Sequence, residues 1–381
     1  MNTKQQATDL ILSVLPKDIL TLSNLFTLNN KQLFLVGGCI RDSFFDKTPK
    51  DFDVCTDALP NTIIDLLKSV NIKCELRGAD FGVVVACMDE DIEISSFRSD
   101  TDSGTGNNKE TIVTLGVTIE DDVKRRDLTI NGLFLNLQTN EIIDLVGGID
   151  DLNNGIIRAI GNPIERFKED NLRKLRAVRF ASRLGFEIET ETLKAIQLDP
   201  SLNVSSERIV NELTTSFNSA KTVEIFINIL LDINLLNTIF NDFLINNNET
   251  IICKQTNVCS LNTLFASILI NDFDLSKRLI EHNFSVDVAN SVALLLKLEN
   301  DLKNKTLINP ILINRQFKST NLTTSELCTF FKNDTKLVTW LFNFKHEDGL
   351  SEKLMKQGIK GKDLGDTLRK IAIGRMIIEN K

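Results

Sequence analysis

The chain has 381 residues, 42% of them hydrophobic, enough to bury an ample core divided between two or more domains. A formal net charge of −8 excludes a global basic field for nucleic acid, leaving only a local basic patch for such a partner. Seven scattered cysteines without a CxxC pair, and only two histidines, His282 and His346, argue against zinc or disulfide scaffolds and suit a reducing cytosol. No apolar run approaches a membrane span, and the N-terminus lacks a basic region followed by an apolar core. A cytoplasmic protein without a membrane partner is therefore expected.

Residues 7–28 have apolar residues at helical spacing, broken at Pro16, and predict one or two short helices covering a sheet. Residues 33–36 (LFLV) predict a strand that stops at Gly37-Gly38, a tight turn where backbone N–H groups can approach an anion. Residues 39–45 have room for two helical turns whose positive end faces that turn, with Arg41 in the first. After a short loop, strand alternation in residues 51–55 puts Asp51 and Asp53 on one face, with Phe52 and Val54 on the other. Two adjacent carboxylates repel; a lone pair of this kind is usually a solvated strand edge, but Mg²⁺ shared with substrate phosphates also explains it. Strand, Gly-Gly, Arg-Asp and this spacing together favour the metal.

Gly-Gly-x-x-Arg-Asp followed by Asp-x-Asp resembles the first motif of the class II tRNA nucleotidyltransferases, the CCA-adding enzymes and their poly(A) polymerase relatives, within the polymerase-β-like superfamily. Residues 61–70 then predict a helix, and residues 72–76, 83–88 and 92–97 predict strands, the last two joined by a tight turn at Asp89-Glu90. Glu93 alternates onto the polar face of its strand, an ordinary half-buried pattern; the resemblance makes it the candidate third carboxylate. Residues 99–110 (SDTDSGTGNNKE) are too polar for a core and predict a mobile loop. Relatives use a segment here in changing from C to A addition, but the usual charged core of that segment is missing.

Arg125-Arg126-Asp127-Leu128-Thr129-Ile130-Asn131 resembles the second family motif. A solvated helix start is the ordinary reading of such a cluster. Chemically, though, adjacent arginines can neutralise a triphosphate, Asp127 can accept from ribose hydroxyls, and Asn131 adds a donor and an acceptor. Residues 142–151 and 156–161 resemble a strand, a Gly-Gly turn and a short strand leading out of the head.

From Asn162-Pro163 the pattern predicts one helix that Gly185 stops. At ~100° per residue, Arg173, Arg176, Arg179 and Arg183 fall within roughly 120°, with Asp170 at the edge. Such a stripe is commonly a solvated face, but Leu172 and Phe180 interleave with it, which argues for a half-buried one. The segment resembles the family's Glu-Asp-x-x-Arg-x-Leu-Arg-Ala-x-Arg-Phe-Ala motif. By that resemblance Asp170 and Arg173 read the base of CTP or ATP, and Arg176 and Arg179 support the site. Cytosine and adenine each offer an amine donor beside a ring-nitrogen acceptor, which a carboxylate beside a guanidinium matches; guanine and uracil present the reverse. Ser205 to Leu213 resembles the last shared motif, where Glu207-Arg208 braces the neck, and residues 358–365 resemble a tail segment that lies along tRNA. His282 and His346 are read as structural.

The resemblance implies an α/β head with a small mixed β-sheet (1–155), a helical neck that recognises the base (156–217), and a helical body and tail for tRNA (218–381). It implies template-independent CCA addition: the tRNA 3′-hydroxyl attacks the α-phosphorus of CTP or ATP and pyrophosphate leaves. Asp51 and Asp53 would hold Mg²⁺, Gly37, Gly38, Arg41 and Arg126 the phosphates, and Asp127 and Asn131 the sugar. A poly(A) polymerase, or an enzyme adding only CC or only A, shares these motifs. A silent RNA-binding relative is disfavoured because drift would erode the carboxylates first. GxGxxG and GxxxxGK[ST] are both absent, which disfavours Rossmann and P-loop enzymes.

Overall fold

The computed structural model describes residues 1–77, 82–103, 110–254, 258–272 and 274–380. It divides into two compact units, Met1–Asp199 and Pro200–Lys381.

The first unit is built on a seven-stranded sheet in the order β3-β4-β5-β2-β1-β8-β9. Its strands are β1 (Leu33–Val36), β2 (Asp53–Thr56), β3 (Lys73–Arg77), β4 (Val83–Cys87), β5 (Asp91–Ser96), β8 (Leu133–Asn136) and β9 (Glu141–Asp144). The sheet is mixed: β2 and β5 run parallel, with Val54 opposite Ile94, and the other pairs are antiparallel. Helix α1 (Lys4–Ser13) opens on a capping box between Thr3 and Gln6, and α2 (Lys17–Leu28) starts after Pro16, as the spacing predicts. Their buried side chains Ile11, Leu22 and Phe26 belong to the core. Among the described residues no single helix is long and apolar enough to cross a membrane, and this helix pair bends by 109° at its break.

β1 is central and buried along its whole length, which explains its unbroken apolar run. On one face Phe34, Phe97 and Phe134 pack edge-on or tilted, with ring centroids 5.4 to 6.3 Å apart, among Val36, Cys55, Val123 and Ile160. α3 (Gly38–Ser43) follows β1, and α4 (Pro60–Ser69) follows β2 with proline in its first turn.

Two expectations are corrected. Residues 99–103 and residue 110, expected in a mobile loop, form parts of β6 (Arg98–Ser103) and β7 (Glu110–Leu115), paired from Arg98↔Leu115 to Ser103↔Glu110. The cross-strand backbone pairing supplies hydrogen bonds that composition does not register; residues 104–109 of that expectation lie outside the described residues. The helix expected to run unbroken from residue 163 to 185 is two, α7 (Pro163–Glu169) and α8 (Leu172–Leu184). Asp170 between them is extended, at φ −143 and ψ 106, and its side chain accepts the Leu172 N–H at 3.1 Å, while the Asn171 amide donates to the Phe167 carbonyl. Short polar side chains compete here with the helical backbone bonds, and helix propensity alone does not register that competition.

α5 (Ile119–Lys124) leads to a 3₁₀ turn at Thr129–Asn131 and into β8; α6 (Gly148–Asn154) follows β9. Gly148 has no room for a side chain: a Cβ would lie 2.2 Å from the Thr129 carbonyl oxygen. The short strands β10 (Ile156–Ile157) and β11 (Glu187–Ile188) pair in parallel and flank α8, and α9 (Thr190–Leu198) ends the unit. Residues 156–199, expected to open a helical neck, are thus part of the first compact unit.

The second unit is helical from Ser206–Ser219 to Gly361–Glu379. Phe240, Phe243, Phe265 and Phe284 form one aromatic cluster, with His282 edge-on to Phe243 at 5.0 Å. His346 packs on Phe344 at 5.1 Å; partial burial and then the Arg375 charge lower its pKa.

Candidate active site

β1 delivers the chain to Gly37, at φ +78 and ψ −122, a conformation that strains any residue with a side chain. The Gly37 N–H donates to the Leu133 carbonyl at 3.2 Å, and the Gly37 carbonyl accepts the Arg41 N–H at 3.1 Å, opening α3. The register places Val36 opposite Asp53, so the glycine turn adjoins that carboxylate: a Cβ on Gly37 would lie 4.0 Å from Asp53 Oδ2. β2 begins only at Asp53, so Asp51 precedes the paired strand, yet both aspartates line the same cavity. Partial burial raises the Asp53 carboxyl above its ordinary value; Arg126 opposes this, and the charges of Asp51 and Glu93 add to it.

The cavity has a volume of about 990 Å³ and lies wholly within the first unit. Gly37, Gly38, Arg41, Asp51, Asp53, Arg126, Asp127, Asn131, Asp170, Arg173, Arg176 and Arg179 all line it. Lys47, Lys50, Arg125 and Arg183 add to the cationic wall, so a protein of net charge −8 encloses a strongly basic chamber with an acidic pair on one side. Such a chamber attracts a polyanion and holds it beside two oxygen ligands.

Many of these groups arrive already engaged. Arg41, only 3% exposed, donates to Asn131 Oδ1 at 2.6 Å and to Asp42 at 2.8 Å, and its guanidinium lies over Phe180 at 4.8 Å. Asn131 in turn donates to Asp127 Oδ1 at 3.1 Å. Asp127 also accepts the Leu128 N–H at 2.8 Å and binds Arg176 through Nε and Nη2 at 2.7 and 2.6 Å. Burial alone would push the Asp127 carboxyl up, but the Arg176 charge and these hydrogen bonds outweigh it and hold the carboxyl below its ordinary value. At the far end of the same α8 face, Arg183 binds Asp42 at 2.8 Å. Two head carboxylates, Asp127 and Asp42, therefore grip α8 at two arginines two turns apart.

Asp170 opens α8 at the cavity wall. The Arg173 guanidinium is set by Glu169 at 2.9 Å, the Arg166 carbonyl at 3.3 Å and the Arg125 carbonyl at 2.9 Å. Arg179 lies over Phe180 at 4.7 Å. Glu93 is the one candidate outside the cavity. The parallel register puts it beside Asp53 on the same sheet face, but its carboxylate faces Arg77 at 3.7 Å and lines a neighbouring hollow of about 510 Å³, which Asp51 and Asp53 also border.

Sequence reasoning gave no site role to Asp42 or Asp122 and read Phe180 only as half-burying the arginine stripe. Asp122 carried a readable signal, since it stands three and four residues before Arg125 and Arg126 at the end of a helix. The contacts of Asp42 with Arg183 and of Phe180 with Arg41 arise only through the packing of α3 against α8.

A mixed sheet that presents adjacent carboxylates beside a glycine turn, facing an arginine-lined cavity, can hold a divalent cation next to a polyanion. Residues 33–158 match the family model described as the poly A polymerase head domain. The chain is 42% identical over 185 residues to the CCA-adding enzyme of Enterococcus faecalis, covering 48% of this chain and 44% of that protein. It is 40% identical over 187 residues to poly(A) polymerase I of Salmonella typhi, covering 46% and 39%. The matches thus span about half of this chain and less than half of those relatives' length. In fold, it is similar to a CCA-adding enzyme solved in its apo form II, with a TM-score of 0.72, 20% identity, and 99% and 96% of the two chains covered. It is likewise similar to the Thermotoga maritima CCA-adding enzyme complexed with tRNA, with a TM-score of 0.71, 19% identity, and 100% and 97% covered.

Proposed function

We propose that the chain is a template-independent CCA-adding tRNA nucleotidyltransferase, extending a tRNA 3′ end from CTP and ATP with release of pyrophosphate. The observation that carries this reading is that the acidic pair and the arginine face of α8 border one cavity large enough for a nucleoside triphosphate. Had they faced different solvent, no single nucleotide could have bridged them.

The residues divide the work. Asp51 and Asp53 offer a hard oxygen donor pair whose mutual repulsion a divalent cation relieves, which fits Mg²⁺ held jointly with substrate phosphates. A divalent cation held by Asp51 and Asp53 would supply Lewis acidity toward the attacking 3′-hydroxyl and charge neutralisation for the leaving pyrophosphate. Glu93 acts on this pair through its charge. Arg126, beside Asp53, receives phosphate oxygens, and Arg179 extends the same cationic wall. Arg41 holds Asn131, and Asn131 with Asp127 sets the sugar position. Asp170 and Arg173 read the base edge, with Arg176 braced behind them by Asp127.

Head (1–155), neck (156–217) and body with tail (218–381) are the proposed functional divisions, the last carrying tRNA through phosphate contacts such as those of Lys360 and Lys362. A cytoplasmic location goes with this reading. Poly(A) addition is the second reading, favoured by the 40% identity to a poly(A) polymerase over the same stretch. Incubating the protein with Mg²⁺, one NTP at a time, and tRNA transcripts ending before, within and just short of CCA tests both. Ordered C, C and A addition that then stops is expected. Unlimited A addition to any 3′ end would establish the second reading, and no incorporation would refute both.

A further inference from the structure

Asp122 lies behind Arg125 and Arg126 of the cavity wall with its side chain fully buried, 0% exposed, on a helix that carries no other group of the site. Its two oxygens are divided between two arginines. Oδ1 accepts Nε and Nη2 of Arg125 at 2.9 and 2.7 Å, and Oδ2 accepts Nε and Nη2 of Arg126 at 3.1 and 2.7 Å. Oδ1 also accepts the Arg98 N–H at 3.2 Å, which fastens the start of β6 to the same carboxylate. The face of the Arg126 guanidinium rests on the Phe134 ring at 4.8 Å. One edge of Arg126 is thus pinned by Asp122 and one face by Phe134, and among the described residues no hydrogen bond takes its Nη1 edge.

The backbone of the same two arginines is tied to the base-reading side of the cavity. The Arg125 carbonyl accepts Arg173 Nη2 at 2.9 Å, and the Arg126 carbonyl accepts Arg166 Nη2 at 3.4 Å. An arginine whose Nε and Nη2 are both held by one carboxylate oxygen loses little rotamer freedom when it takes up a phosphate, and its rigid fork presents donors in one plane. We infer that Asp122 is a positioning residue for nucleotide binding: it holds Arg126, with Arg125 beside it, in the orientation that receives the triphosphate. This rests on the nucleotidyltransferase reading above and adds to it a residue that touches neither substrate nor metal.

The test uses the full chain and a fluorescent ATP analogue, TNP-ATP, titrated without RNA, alongside nucleotide KM and kcat in the incorporation assay. Asp122→Asn, which keeps shape and removes charge, is expected to weaken TNP-ATP binding about tenfold and to raise KM by a like factor, with kcat within about threefold. Because Asp122 acts through Arg126, the double variant Asp122→Asn/Arg126→Gln is expected to bind within about twofold of Arg126→Gln alone. Binding by Asp122→Asn within about twofold of the wild type, or losses that multiply in the double variant, would overturn the inference. Arg126→Lys keeps the charge but cannot be gripped on two nitrogens, and it bears on the inference even where Asp122→Asn does not fold. Binding as weak as that of Arg126→Gln supports the positioning role, and wild-type binding overturns it. A wild-type protein that binds TNP-ATP but adds nothing to RNA would refute the proposed function while leaving the grip on Arg126 measurable by the same titration.

Discussion

Replacing Asp127 by alanine removes the carboxylate through which the head holds both Asn131 and α8. The structure sets the scale. The Leu128 N–H and the Asn131 amide each lose an acceptor, worth about 1 kcal/mol apiece. Arg176 loses the oxygen that holds its Nε and Nη2, and because its side chain is 34% exposed, solvent screening discounts that pair to about 1 kcal/mol. A total near 3 kcal/mol corresponds to a fall in Tm of about 6–12 °C for a unit of this size. Far-UV circular dichroism melts of the full chain at neutral pH measure it, and Asp127→Asn, which retains an acceptor oxygen, is expected to fall by less. The pH dependence has a definite sign. The folded carboxyl titrates below its ordinary value, so its contribution is fully present above the unfolded-state pKa near 4 and is lost as pH falls through the folded value. The melting difference between wild type and Asp127→Ala should therefore be constant from about pH 6 to 8 and shrink below about pH 4. An alanine variant that melts with the wild type at neutral pH would mean that Asp127 serves the substrate alone, and the bracing argument would fail.

Asp53→Asn removes one of the repelling carboxylates, so it should melt at or above the wild-type temperature while losing nucleotide incorporation; retained turnover would end the metal assignment. Asp170→Ala should relax the choice among the four NTPs in single-nucleotide incorporation more than it slows CTP addition, and unchanged selectivity would remove base reading from α8. Gly37→Ala, forced to φ +78, should cost about 1–2 kcal/mol in a denaturant titration and raise nucleotide KM. Equal stability would show that the turn relaxes into another conformation.

The features visible in the sequence were those with local causes. The apolar run of residues 33–36, the glycines after it and the stop at Gly185 each follow from backbone preferences of neighbouring residues, and the strands and helices stand near the places those preferences indicate. Local reasoning missed the break at Asp170, where two short polar side chains take over backbone hydrogen bonds, and the β6–β7 pairing, where composition argued for a loop. In both cases hydrogen bonding overrode a compositional signal.

Taken alone, the sequence determined which chemistry was at hand: carboxylates two residues apart after a glycine turn, and arginines at helical spacing along one face. It also determined that the basic groups would be local in an acidic protein. Only the tertiary structure decided that these groups share a cavity, and that several arginines on its wall are held by carboxylates of the protein itself. Asp42 lies 141 residues before Arg183 and Asp127 lies 49 before Arg176, separations at which sequence periodicity carries no information. The packing of α8 on the head brings those charges within hydrogen-bond distance.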